Sequence, residues 1–195
     1  MVDLLSFTSH VFPDAYHHLK HYFENTGEDL YLNMIDIMNK LEQLRKYHDK
    51  ELQEAKTFCE TLPASEIPYN IVSSNIQHGD FSDEKNRNLF YAIGGYQYWG
   101  RGVVKTTEID EAGGNNSELK DVVENYYRQV RRKYELKFTF IFFDRYNWNI
   151  DKGQGIGFGI RASDKFMRKY HKKCFGKEYN IWGRLETNVP IWEDE

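Results

Sequence analysis

The sequence predicts an α+β protein, an N-terminal helical lobe packed on a twisted, mostly antiparallel sheet rich in aromatic side chains. Three observations carry that prediction. Apolar residues recur at three–four spacing through the first third of the chain, the period of a helix with one buried face. The period then changes to strict alternation between Tyr134 and Phe142, the pattern of a strand with one buried face. Aromatics make up 16% of the 195 residues, with 14 Tyr and 13 Phe, and such side chains suit a pleated, half-buried surface. This length suits one domain with a single core, or a domain plus a helical appendage. The expected division is a helical lobe over 1–63, a loop region over 64–88, and a β-rich lobe over 89–195 with a short helix near 163–175.

The first helix is read in "DAYHHLKHYFEN", with Asp14 after Pro13 as its cap and an end near Asn25-Thr26-Gly27. From Glu28, the residues Leu30, Met34, Ile37, Met38, Leu41 and Leu44, then Leu52, Ala55, Phe58, Cys59 and Leu62, mark one helical face. The polar patch "RKYHDKE" weakens that stripe, so one long helix and a break at the patch both stay open. Pro63 and Pro68 end the element. The following region is rich in turn formers, with "IVSS" a candidate short strand.

"LFYAIGGYQYWGRGVVKTTEI" is β-branched and aromatic, and its glycines predict bulges or a strongly bent strand. After the turn "EAGGNNS", Ser117 is a candidate cap. Leu119, Val122, Val123, Tyr126, Tyr127 and Val130 form a helical stripe there, with an extended hairpin tip as the alternative. "KYELKFTFIFFDRYNWN" is the alternating strand. A glycine-rich turn, a helix in "SDKFMRKYHKKCFG" capped by Ser163 and closed by Gly176, and a last strand in "KEYNIWGRL" complete the chain, with a loosely held acidic tail.

The net charge of −4 gives no global basic field, which argues against a nucleic-acid partner. Cys59 and Cys174 are too few for a disulfide framework and read as buried small residues in a chain made in a reducing compartment. No run of 18 apolar residues suggests a transmembrane helix, and no Sec-type signal is visible. Export, if it occurs, then needs other machinery.

The main candidate constellation follows the alternating strand: Asp144, Tyr146, Asn147, Asn149 and Asp151. Oxygen-bearing side chains at alternating positions suit a hard divalent cation, Mg or Ca, and Asp144 also suits a general base. The same residues end strands for purely local reasons, since Asp and Asn bond nearby backbone in turns. "KGQGIGFGI" lacks phosphate-loop spacing. His17 and His21 stand at i,i+4 spacing with no third ligand, and a solvated helix face accounts for them and His18. His171, amid Arg168, Lys169, Lys172 and Lys173, offers an acid and cations to a phosphate or closes a helix dipole.

The order of "FYAIGGYQYWGRG", "YELKFTFIFFDRYNWN", "SDKFMRKYHKK" and "KEYNIWG" resembles an uncharacterised group of bacterial toxin modules found at the ends of Rhs proteins or beside type VI secretion components. The resemblance spans roughly residues 15–185. It implies an antibacterial effector, made in the cytoplasm, exported without a Sec signal and acting in a target cell. It also implies an immunity protein and an Rhs- or VgrG-type carrier as partners.

A more distant resemblance is to the colicin M family, metal-dependent hydrolases of a lipid-linked cell-envelope precursor. Asp144 and Tyr146 match two positions of that family's Asp-x-Tyr-Asp turn. Asn147 replaces the second acid, and the family's nearby His-Arg pair is absent. The resemblance implies phosphoester hydrolysis with Asp144 as base or metal ligand, Asn149 and Asp151 as further ligands, Tyr146 beside them, and Arg161 or His171 meeting the phosphate. A membrane-perturbing toxin and a non-toxic adaptor are the alternatives.

Overall fold

A computed structural model of the chain describes residues 10–81, 86–109, 131–147 and 172–193. Its elements are α1 (Pro13–Glu24), β1 (Leu30–Leu32), α2 (Met34–Lys40), α3 (Glu42–Cys59), β2 (Tyr69–Val72), β3 (Gln77–Asp80), α4 (Arg87–Ala92), β4 (Gly95–Glu108), β5 (Arg132–Tyr146), β6 (Tyr179–Asn188) and β7 (Trp192–Glu193). The fold class is α+β. The described strands form a mixed, mostly antiparallel sheet of seven, ordered β1-β6-β5-β4-β2, with β3 also on β4 and β7 on β5. The chain gathers into two compact units. The first is drawn from Met1–Lys40, Asn75–Trp99 and Ile141–Arg184; the second from Leu41–Ser74, Gly100–Phe140 and Leu185–Glu195. No described helix is long and apolar enough to cross a membrane.

In the first unit, α1 begins with Pro13 at a position that needs no N–H donor. The residue before it, Phe12, has no side chain that can cap. The cap expected from Asp14 comes from another element: Asn88 Oδ1 accepts from the backbone N–H of Asp14 (2.9 Å) and of Ala15 (3.1 Å). Asp14 lies inside the first turn, where its carboxylate accepts from Asn88 Nδ2 (2.6 Å) and Lys40 Nζ (3.1 Å). Asn25 ends the helix in the left-handed conformation at φ 61°.

The stretch after Gly27, expected to be helical, instead opens with β1. Leu30 to Leu32 pair in parallel with Ile181 to Gly183 of β6. The backbone hydrogen bonds of the β6 edge outweigh the local helical pattern. α2 then packs Met34 so closely on Gly183 that a Cβ there would collide with its side chain. α4 also differs from expectation, because "LFYA" was read as strand. Asn86 Oδ1 accepts from Leu89 N–H at 3.1 Å and starts a helix that buries Leu89 and Ala92. Gly176 has a packing role, since a Cβ there would run into the Tyr22 ring. The left-handed residue nearby is Cys174 at φ 58°. Cys174 is exposed, contrary to expectation, while Cys59 is buried.

In the second unit, α3 runs unbroken through "RKYHDKE", and the break falls earlier, at the extended Leu41. The reason is visible in what α3 buries: Leu44, His48, Glu51 and Cys59. His48 and Glu51 continue the buried stripe rather than interrupting it. The predicted loop region contributes β2, antiparallel to β4 with Ile71 opposite Gly102. The tail is held as well: Trp192 pairs with Tyr134 and stacks on its ring at 5.2 Å.

β4 shows no break at its glycines. Its even positions are buried from Tyr96 to Thr106. Gly100 and Gly102 fall on that buried side because a Cβ would lie 2.7 Å from the Phe138 ring or 2.8 Å from Leu136. β5 buries Tyr134, Leu136, Phe138, Phe140 and Phe142, the alternation expected. Ile141 is buried as well, so β5 is covered on both sides there.

Candidate functional site at the end of the long aromatic strand

The candidate site is built on β5 in the first unit. Even-numbered residues of β5 face the core up to Phe142 and again at Tyr146. Asp144 occupies the register between them. It is half-buried, at a position where the alternation calls for an apolar side chain. Asp144 and Tyr146 both lie within the strand rather than in a loop after it. Asn149, Asp151, Arg161 and His171 lie outside the described residues.

Helix α1 and strand β6 supply the surroundings. Tyr146 stacks on Tyr179 with centroids 5.0 Å apart and planes 16° from parallel. Tyr22 and His18 of α1 lie 5.9 Å and 6.0 Å from the Tyr146 ring. Burial pushes the Tyr146 phenol well above its usual range, and the neighbouring Tyr22 and Asp144 push it further. Burial raises Tyr179 too, assisted by Tyr146 and Asp144. Both phenols therefore stay protonated at neutral pH, able to donate a hydrogen bond but not to act as nucleophiles. Asp144 precedes Tyr146 by two residues on β5, and its charge acts on both phenols.

His18 is the residue that sequence reasoning misplaced. It was read as part of a solvated helix face, yet it is 2% exposed. Burial, then the nearby His17, lowers it to about 3, so the ring is neutral at neutral pH. The Tyr179 hydroxyl donates to the His18 carbonyl at 3.0 Å and also meets Nδ1 at 3.1 Å. A hydroxyl has one proton, so both contacts hold together only when Nδ1–H donates to the Tyr179 oxygen. Nε2 then carries the lone pair. Of the other two histidines of α1, His17 is exposed, and His21 Nε2 contacts the Glu28 carbonyl at 2.8 Å. Among the described residues, no group of three or more His, Cys, Asp or Glu is arranged to hold a metal ion.

The second unit holds another polar cluster that the sequence reading passed over. Glu51, 4% exposed, accepts from Ser73 Oγ at 2.5 Å, and Gly100 N–H donates to the same Oγ at 2.7 Å. Three residues before Glu51, His48 meets Thr187 Oγ1 (3.1 Å) and Asp49 (2.9 Å), edge-on to Phe138 and Phe140. The available signal was the continued three–four spacing of His48 and Glu51 with Leu44. Burial pushes the Cys59 thiol up to about 11, which makes it a poor nucleophile.

The chain matches no protein-family model, no curated protein and no solved structure.

Proposed function

We propose that this chain is an antibacterial effector module of a contact-dependent secretion system, and that it hydrolyses a phosphoester of a cell-envelope precursor with metal assistance. The observation that carries the reading is Asp144. A half-buried carboxylate interrupts the apolar face of β5 beside the Tyr146–Tyr179 pair, where folding alone favours an apolar side chain. Functional sites are where such departures from pattern concentrate.

Asp144 accepts the proton of the attacking water, or would hold a Mg or Ca ion together with Asn149 and Asp151. Arg161 or His171 meets the phosphate. Tyr146, held protonated, donates a hydrogen bond. A bound divalent cation would supply positive charge to the phosphate oxygens. The neutral His18 serves this arrangement by orienting Tyr179, not as an acid. Export without a Sec signal, an Rhs- or VgrG-type carrier and a cognate immunity protein belong to the same reading.

The membrane-perturbing reading is less well supported. The buried face of α3 carries His48 and Glu51, and exposing it offers lipid little apolar surface.

The test is growth of a bacterial host expressing the chain in the cytoplasm or behind a periplasmic signal, each beside Asp144→Ala. Toxicity confined to the periplasm is expected, with activity lowered about 10²–10⁴-fold in the variant, the usual effect of removing a general base. A folded Asp144→Ala protein, checked by circular dichroism, with undiminished toxicity refutes the assignment. Absence of toxicity in both compartments refutes the effector reading in favour of an adaptor.

A further inference from the structure

Within the first unit, the sheet side opposite His18 and Tyr179 carries its own aromatic cluster. On β6, Tyr179 and Ile181 are buried, so Asn180 and Trp182 point the other way. Four neighbouring strands contribute one large ring each: Tyr31 from β1, Trp182 from β6, Phe143 from β5 and Trp99 from β4. Tyr31 stands in register with Trp182 and is 68% exposed. Phe143 and Trp182 have centroids 4.5 Å apart, and Trp99 meets Trp182 edge-on at 6.5 Å. These last three rings are half-buried.

The Trp182 ring is held in place by polar groups. Its Nε1–H donates to Asp29 Oδ2 at 3.0 Å, and Asn180 Nδ2 donates to the other oxygen of the same carboxylate at 3.0 Å. Asp29 is exposed and belongs to the segment leading into β1. A surface carboxylate that fixes an indole and an amide side by side is unusual for packing alone, because exposed hydrogen bonds contribute little to stability. It is suited to a ligand that lies on a ring and bonds to the groups beside it.

We propose that this shelf binds a neutral glycan, with a sugar ring stacked on Trp182 and its hydroxyls bonded to Asp29 and Asn180. The charges choose the ligand. A nucleic acid also stacks on aromatic rings, but needs cations along its phosphates. Here Asp29 sits at the ring edge, and Arg145 on the same side of β5 is paired with Glu178 at 3.2 Å. Arg184, two residues beyond Trp182, is exposed. A sugar offers C–H groups to the ring face and hydroxyl donors to a carboxylate, which matches both halves of the shelf. The proposal does not depend on Asp144 being catalytic.

The test is titration of the full chain, followed by tryptophan fluorescence and calorimetry, with two neutral probes: the β-1,4-linked tetramers of N-acetylglucosamine and of glucose. Single-stranded oligo-dT is the third probe. Saturable binding of a neutral tetramer is expected. Affinity falls about tenfold or more in Trp182→Ala, the typical loss of a central aromatic anchor. Tyr31→Ala, at an exposed position that cannot unfold the protein, lowers it severalfold, and Trp192→Phe in the second unit leaves it unchanged. No binding of either tetramer at millimolar concentration overturns the proposal. So does equal binding by Tyr31→Ala and Trp182→Ala, or binding of oligo-dT alone.

Discussion

Acidification from pH 7 to pH 5 destabilises this protein through His18, and replacing His18 by Gln removes that part of the response. The ring is 2% exposed, beside Tyr146 and Tyr179. Burial lowers its pKa first; His17 lowers it further, Asp14 opposes them, and His21 adds a smaller decrease, leaving about 3 in place of 6.5. Between those values the unfolded chain binds a proton that the folded chain does not. Stability therefore falls as pH falls, by about 1.4 kcal/mol per pH unit, and the loss levels off once pH drops through the folded-state value. From pH 7 to pH 5 the expected loss is about 2 kcal/mol, since the unfolded imidazole gains its proton only below about 6.5. For a chain of this length that corresponds to a melting temperature lower by about 4–8 °C. The assay is thermal and urea unfolding of the parent and His18→Gln at both pH values. The variant loses the contact to Tyr179 and is less stable at both, but that loss cancels in the difference. The remaining histidines are shared, so the difference isolates His18. Equal pH responses of the two proteins refute the reasoning.

Other substitutions probe separate elements. Thr106 is fully buried, and its hydroxyl has no hydrogen-bond partner among the described residues. Thr106→Val is expected to raise the urea midpoint, by about 1 kcal/mol of stability; a loss of that size would reveal a partner for the hydroxyl. Asn88→Ala removes the acceptor of two α1 N–H groups and a donor to Asp14, and is expected to lower stability by about 1–2 kcal/mol with fraying of α1 in hydrogen exchange. Gly100→Ala forces a methyl into the Phe138 ring and is expected to cost about 1–3 kcal/mol in denaturant unfolding; a neutral effect would show that the ring yields.

The aromatic register of β5 was legible because alternation over Tyr134 to Phe142 is a local property of a strand with one covered face. The start of α1 was legible from Pro13, but its cap was not. Asn88 is 74 residues from Asp14, and no local pattern connects them. The glycines of β4 were visible, but the side chains that they make room for were not. Their role depends on Phe138 and Leu136, which lie across the sheet.

The candidate site divides the same way. Asp144 and Tyr146 stood out in the sequence as the polar close of an apolar run. That Asp144 keeps the core-facing register depends on β5 continuing to Tyr146. His18 was invisible as a buried group, because three histidines in one turn of a polar helix look solvated until β5 and β6 cover one of them. The sequence by itself determined the fold class, the long strand and its aromatic face, since these follow from residue spacing within single segments. Which polar side chains are buried, and beside what, was decided only by tertiary structure. Burial and its pKa consequences arise from neighbours that the chain brings together from more than a hundred residues away, as with His18 and Tyr179.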